Sequence, residues 1–147
     1  MSTAARTVLT GPDGIRLERA LYSASSPITP GMLVQYHSGA LTVEPHSSAA
    51  GAIATVMVAV EEPENRGHGI DDAYTVVNEI VQVDFPYSGC HRYMLLSAGE
   101  NVAAGALLES NGDGSLQAGS THPAFRAIEA VNNSAGYANV RINVEVI

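Results

Sequence analysis

The stretch EEPENRGHGIDDAY, residues 61–74, sets Glu61, Glu62, Glu64, His68, Asp71 and Asp72 within fourteen positions. These residue types bind metals or move protons, so their spacing decides whether chemistry is expected. A calcium loop needs oxygen ligands at closely set intervals, as in an EF-hand, and this spacing does not match. Zinc needs more His or Cys than His68 supplies locally. Pro63, Gly67 and Gly69 break any regular element, and the polar residues follow neither helical nor alternating order. The stretch is expected to be an exposed loop without a metal, with a partner contact as the other reading. NGDG, residues 111–114, is read as a type I′ hairpin turn rather than a calcium loop.

Cys90-His91 invites a nucleophile–base reading. On a strand, adjacent side chains point to opposite faces, so the two cannot form a dyad, and Cys90 is expected to be a structural cysteine. His37, His46, His68, His91 and His122 are dispersed, without an HxH or HExxH pair. The chain lacks GxSxG, GxxxxGK[ST] and GxGxxG. No catalytic, cofactor or metal residues are assigned, and an enzyme is not expected. A carbohydrate-binding module would present aromatic platforms, and the chain has no Trp.

The elements that must hold any site are short. The chain has 147 residues, 46% of them hydrophobic, which suits one domain with a core. With two Phe and six Tyr, that core must be built mainly from Val, Ile, Leu, Ala and Met. All seven cationic side chains are Arg, set against fifteen acids for a net charge of −8. Such a chain repels a phosphate backbone, so direct nucleic-acid binding is not expected. A single cysteine precludes an intrachain disulfide and fits folding in a cytoplasm. No apolar run is long enough for a signal peptide or a membrane span, so no membrane partner is expected.

Residues 1–27 read as an extended arm rich in Ser, Thr and Ala, with GPDG (11–14) as a turn and SASSP (23–27) as a hinge. Residues 28–147 read as a β body. MLVQYH (32–37) and ALTVE (40–44) flank Ser38-Gly39, a plausible hairpin turn. AIATVMVAVEE (52–62) reads as a buried strand, and VVNEIVQVDF (76–85) and CHRYMLL (90–96) as two more. At the end, Val140, Ile142, Val144 and Val146 alternate with Arg141, Asn143 and Glu145, one set inside and the other in water. PAFRAIEAV (123–131) is the one candidate for a short helix. GMLVQYHSGAL (31–41) echoes GALLESNGDGSL (105–116), matching Gly31 with Gly105, Leu33 with Leu107 and Leu41 with Leu116. The expected fold is mainly β, a small barrel or sandwich with an extended N-terminal arm and at most one short helix.

SASSPITPGMLVQYHSGALTVEPHSSAAGAIATVMVAVEE resembles the opening of tailed-phage capsid decoration (cement) proteins, in which an I-x-PG-x-L-V strand, a turn and an Ala-rich strand ending in Glu are common. GHGIDDAY, VQVDFPYSG and LLSAGENVAAGALLESNGDGSL follow in the same order, and the similarity runs over roughly residues 20–146. The resemblance implies a virion structural protein on the outer surface of an icosahedral shell, with the major capsid protein as partner. It also implies a homo-oligomer, a trimer in preference to a dimer, and no catalytic residues. Other virion β modules, minor head or tail proteins, are the alternative. The arm residues Arg6, Val8, Leu9, Ile15, Arg16, Leu17 and Arg19 are the candidate capsid contacts, adding as a strand to a sheet edge and pairing with acidic side chains.

Overall fold

The computed structural model describes residues 8–10, 18–23, 26–37, 39–62, 69–76 and 79–147. Among them are thirteen strands and no α-helix. In chain order they are β1 (Leu9–Thr10), β2 (Glu18–Ser23), β3 (Val34–His37), β4 (Gly39–Pro45), β5 (Val58–Val60), β6 (Ile80–Asp84) and β7 (His91–Leu96). There follow β8 (Asn101–Val102), β9 (Leu107–Ser110), β10 (Leu116–Ala118), β11 (Phe125–Ala127), β12 (Val131–Asn132) and β13 (Val140–Val146).

Eleven of the strands fall into two sets with one topology, and β8 and β12 pair as a separate two-stranded sheet. The first sheet runs β3-β4-β2-β6-β5, and a Leu33–Val58 bridge brings its outer members together again. The second runs β7-β10-β9-β11-β13, with β13 also pairing with β7, so its pairings form a circuit, and β1 adds to β7. Each partner relation in the first set recurs in the second. β4 lies parallel to β2 as β10 does to β7. β6 is antiparallel to β2 as β13 is to β7. Registers match as well: Ala59 faces Val83 where Ala127 faces Val144, and Leu33 faces Val58 where Leu107 faces Arg126. The chain is an internal repeat, residues 18–84 followed by 91–146.

The repeat is visible in its turns. Met32 N–H donates to the Thr29 carbonyl and Ala106 N–H to the Ala103 carbonyl, with Gly31 at φ 96° and Gly105 at φ 89°. A type II turn needs a positive φ at its third residue, which glycine adopts at little cost. Past each turn the bonds continue in parallel, Gly31 with Ala59 and Gly105 with Ala127. A Cβ on Gly31 would also run into the Arg141 guanidinium.

The interiors match residue for residue. Val34, Val43, Met57, Ala59, Val81 and Val83 are buried in repeat 1. Their register equivalents Leu108, Leu116, Phe125, Ala127, Ile142 and Val144 are buried in repeat 2. Side chains alternate along a strand, so Leu33, Val58 and Val60 leave repeat 1 on its other face. There they join a cluster with Met94, Leu96 and Val8. The two repeats thus share packed apolar surface.

Several expectations are corrected. PAFRAIEAV holds strand β11, a turn and the first residue of β12, not a helix. Phe125 and Ala127 point inward and Arg126 outward, and β11 pairs on both edges. A nine-residue helix is marginal alone, and two strand partners outweigh its Ala and Glu propensity. In AIATVMVAVEE only Val58–Val60 form a strand; Ala52, Ala54 and Thr55 are exposed in the crossover before it. The echo is real, but Val43, not Leu41, occupies the place of Leu116. Of residues 1–27, β1 and β2 pair within the two sheets, and β2 is an inner strand flanked by β4 and β6.

Candidate interaction surface

The N-terminal segment is rooted in repeat 2. Leu9 and Thr10 pair with Arg92 and His91, and Tyr93 N–H donates to the Val8 carbonyl at 2.7 Å. Val8 is fully buried, Leu9 packs partly against the same cluster, and the Glu61 carboxylate accepts the Val8 N–H. Of the expected capsid contacts, Val8 and Leu9 therefore serve as an internal root. Arg19 lies in β2 opposite Val83. Arg6, Ile15, Arg16 and Leu17 lie outside the described residues.

The opening acidic stretch is built by backbone needs. Asp72 accepts the Gly69 N–H at 2.9 Å, closing a turn in which Asp72 N–H returns to the Gly69 carbonyl. Arg141, on β13, holds this turn from below. Its guanidinium donates to the Pro30 carbonyl at 2.5 Å, to the Ile70 carbonyl and to Asp71 Oδ1 at 3.2 Å, and lies 6.0 Å from the Tyr93 ring centre. Tyr74 closes the stretch, fully buried, its hydroxyl donating to the Val60 carbonyl at 2.7 Å and its pKa pushed up chiefly by burial. Residues 63–68, with Glu64 and His68, lie outside the described residues.

The same use of acids recurs along the chain. Glu79 accepts the N–H groups of Thr75 and Val76, Glu100 that of Ala118, and Glu129 that of Asn143. Glu109 is buried and accepts the N–H groups of Thr121 and His122 at 3.0 and 3.1 Å. Asp113 binds the Ser115 N–H and hydroxyl; burial pushes its pKa up, but these bonds outweigh it and leave the carboxyl below its usual range. Charge-assisted bonds to backbone N–H groups are among the stronger ones available, and short strands with many turns leave many such donors. Much of the acidity of this chain is thus structural.

Two buried polar contacts join the repeats. Arg92 Nε donates to Asp84 Oδ2. His46 Nδ1 lies 2.7 Å from Ser110 Oγ, and burial holds its pKa below the usual value despite a backbone bond to Ala52. Ser110 Oγ also accepts the Gly112 N–H, so this Ser–His pair is enclosed and tied into a turn. Cys90 is buried within the apolar cluster, and His91 opens β7 beside it. Arg141, His46 and Glu109 were not singled out in the sequence. Arg141, expected to face water with Asn143 and Glu145, instead has a side chain only 12% exposed, held by the Pro30 and Ile70 carbonyls.

Among the described residues the exposed large apolar side chains are Tyr36, Val76, Tyr87, Ile128, Tyr137 and Ile147, with Tyr137 wholly in solvent. Two cavities flank the crossover before β5. One, of about 280 Å³, lies between Gln35, Tyr36, His46 and residues 52–55; the other, of about 330 Å³, lies between Ile53 and residues 121–124.

No protein-family model matches the chain, and no curated protein matches it by sequence. A solved structure does match in fold: the head fiber gp8.5 N base of bacteriophage phi29, with a TM-score of 0.60 at 10% identity. The match covers 90% of this chain and 95% of that one.

Proposed function

We propose that this chain is a phage virion structural protein that binds the outer surface of an icosahedral head and stabilises it by bridging capsid subunits. The observation that supports the reading most is the fold likeness to the base of a head fiber, which spans nearly the whole of both chains. The ordered run of strand and turn motifs shared with decoration proteins points the same way. In this reading the major capsid protein is the partner, and self-association, as a trimer, bridges neighbouring subunits. The N-terminal segment reaches the shell through Arg6, Ile15, Arg16, Leu17 and Arg19, while Val8 and Leu9 root it on β7. Interfaces of about 800 Å² per partner are the usual scale for such contacts. Repetition around a ring adds avidity.

Co-sedimentation of the purified chain with heads lacking it tests the reading. Saturable binding to the heads, with raised resistance to heat or chelation, is expected. Failure to bind intact heads, with binding to tails instead, would favour the alternative of a tail module.

A further inference from the structure

The internal repeat exposes a difference between otherwise equivalent places. Leu33, Val34, Gln35 and Tyr36 of repeat 1 correspond to Leu107, Leu108, Glu109 and Ser110 of repeat 2. The bond from His46 N–H to the Leu33 carbonyl likewise matches that from Gly119 N–H to the Leu107 carbonyl. After these points each chain crosses to its next strand. In repeat 2 the crossover spans 119–124 before β11, and the buried Glu109 carboxylate lies under it, accepting two successive N–H groups. A Cβ on Gly119 would strike this carboxylate, so the fit there is close.

Repeat 1 lacks this internal carboxylate. Gln35 stands in place of Glu109; its amide donates to Glu44 Oε2 at 2.7 Å and Ser47 Oγ at 3.0 Å, and its Oε1 accepts a single crossover N–H, that of Ser47, at 3.4 Å. The crossover is longer, spanning 46–57 before β5. In its Ala52–Val56 stretch, the peptide N–H groups donate to no acceptor among the described residues. Between Gln35 and this stretch lies the 280 Å³ cavity, and no acidic side chain lines it. That is notable in a chain of net charge −8, in which carboxylates satisfy turn N–H groups at many other places.

We propose that this cavity binds a carboxylate from outside, the Asp or Glu side chain of a partner protein. The carboxylate takes the role in repeat 1 that Glu109 plays in repeat 2. Backbone N–H groups of residues 52–55, which line the cavity, are its donors. Successive N–H groups in irregular backbone form anion-binding concavities, and an ionised acceptor strengthens each bond. That the partner is a capsid subunit rests on the proposed function; the site itself does not.

The test uses the isotopically labelled full chain and two small probes, N-acetylglutamate N-methylamide and its glutamine counterpart. The expected result is a saturable amide shift confined to residues 52–56 with the glutamate probe and absent with the glutamine probe. Two variants should abolish it. Gln35→Glu supplies an internal carboxylate, which Glu44 repels toward the cavity. Ala54→Pro removes one donor at an exposed position. Absence of the shift, equal shifts with both probes, or unchanged shifts in both folded variants would overturn the proposal. Head binding that persists while the shift is absent would overturn the site and leave the proposed function standing.

Discussion

Asp84, the last residue of β6, and Arg92, near the start of β7, form an ion pair in which neither side chain has exposed surface. Arg92 Nε donates to Asp84 Oδ2 at 2.5 Å, and Arg92 Nη1 donates to the His91 carbonyl at 2.6 Å. Asp84 faces Glu18 and Val58 in repeat 1, and Arg92 faces Leu9 and Val144 in repeat 2. The pair therefore fastens the last strand of one repeat to the first strand of the next.

Loss of one partner strands a buried charge. Asp84→Ala or Arg92→Ala should each cost about 3–5 kcal/mol, whereas joint replacement by apolar residues of similar volume should cost far less. Urea unfolding of the single and double variants measures this. Additive costs would mean that the two side chains are not coupled.

Arg141 predicts a different pattern. Its bonds to the Pro30 and Ile70 carbonyls are largely buried, but Asp71 is 85% exposed. Arg141→Met should cost about 2–3 kcal/mol, in the range of hydrogen bonds to a charged group. Asp71→Asn should cost at most about 1 kcal/mol, because an exposed ion pair is screened. Equal costs would assign the role of Arg141 to the ion pair rather than to the carbonyls.

The end strand offers a packing test. Ile142 and Val144 are fully buried and Val146 nearly so, while Val140 is only half-buried. Ile142→Ala should cost about 2–5 kcal/mol. Stability within about 0.5 kcal/mol of the parent would contradict the assigned core.

His46 gives a pH dependence. Burial lowers its folded-state pKa below 6.5, so the unfolded chain takes up a proton first as pH falls. Its contribution is fully present above about pH 6.5 and is lost as pH drops toward the lowered value. His46→Gln should flatten the stability slope below about pH 6.5. Asp113, whose pKa is also lowered, acts lower, losing its contribution as pH falls below about 3.8. An unchanged slope in the His46 variant would contradict its buried neutral state.

Much of the fold was legible where local pattern and tertiary pairing agree. The antiparallel pair of β3 and β4, β7 and the alternating β13 follow from period-two patterning. The 123–131 segment misled because Ala, Glu and Arg favour helix locally while two long-range strand partners decide its state. The crossover at 52–57 misled because apolar composition does not distinguish a paired strand from an extended connection. Asp71 and Asp72 were legible as turn residues, but the anchoring of Ile70 and Asp71 to Arg141 depends on contacts about seventy residues apart, which spacing cannot reveal. The repeat was legible only as a short echo because most of its matched core positions differ in residue type, as with Met57 and Phe125.

The N-terminal segment yields a graded truncation. Deleting residues 2–10 removes β1 and the buried Val8, at about 1.5–3 kcal/mol for each apolar side chain buried, and should leave a folded protein. Deleting residues 2–22 also removes most of β2, an inner strand, and should prevent folding. Circular dichroism and thermal unfolding distinguish the two. A stable fold after the longer deletion would show that β2 is dispensable and that residues 1–27 act apart from the body.

The proposed function assigns this chain to a phage, and cryo-electron microscopy of that phage's heads, compared with heads from a deletion strain, tests it most directly. The account predicts β-rich density on the outer face of the head, fitted by the two-repeat fold and absent from the deletion heads. Density confined to the tail or to the inside of the shell, or identical heads from the two strains, would contradict it.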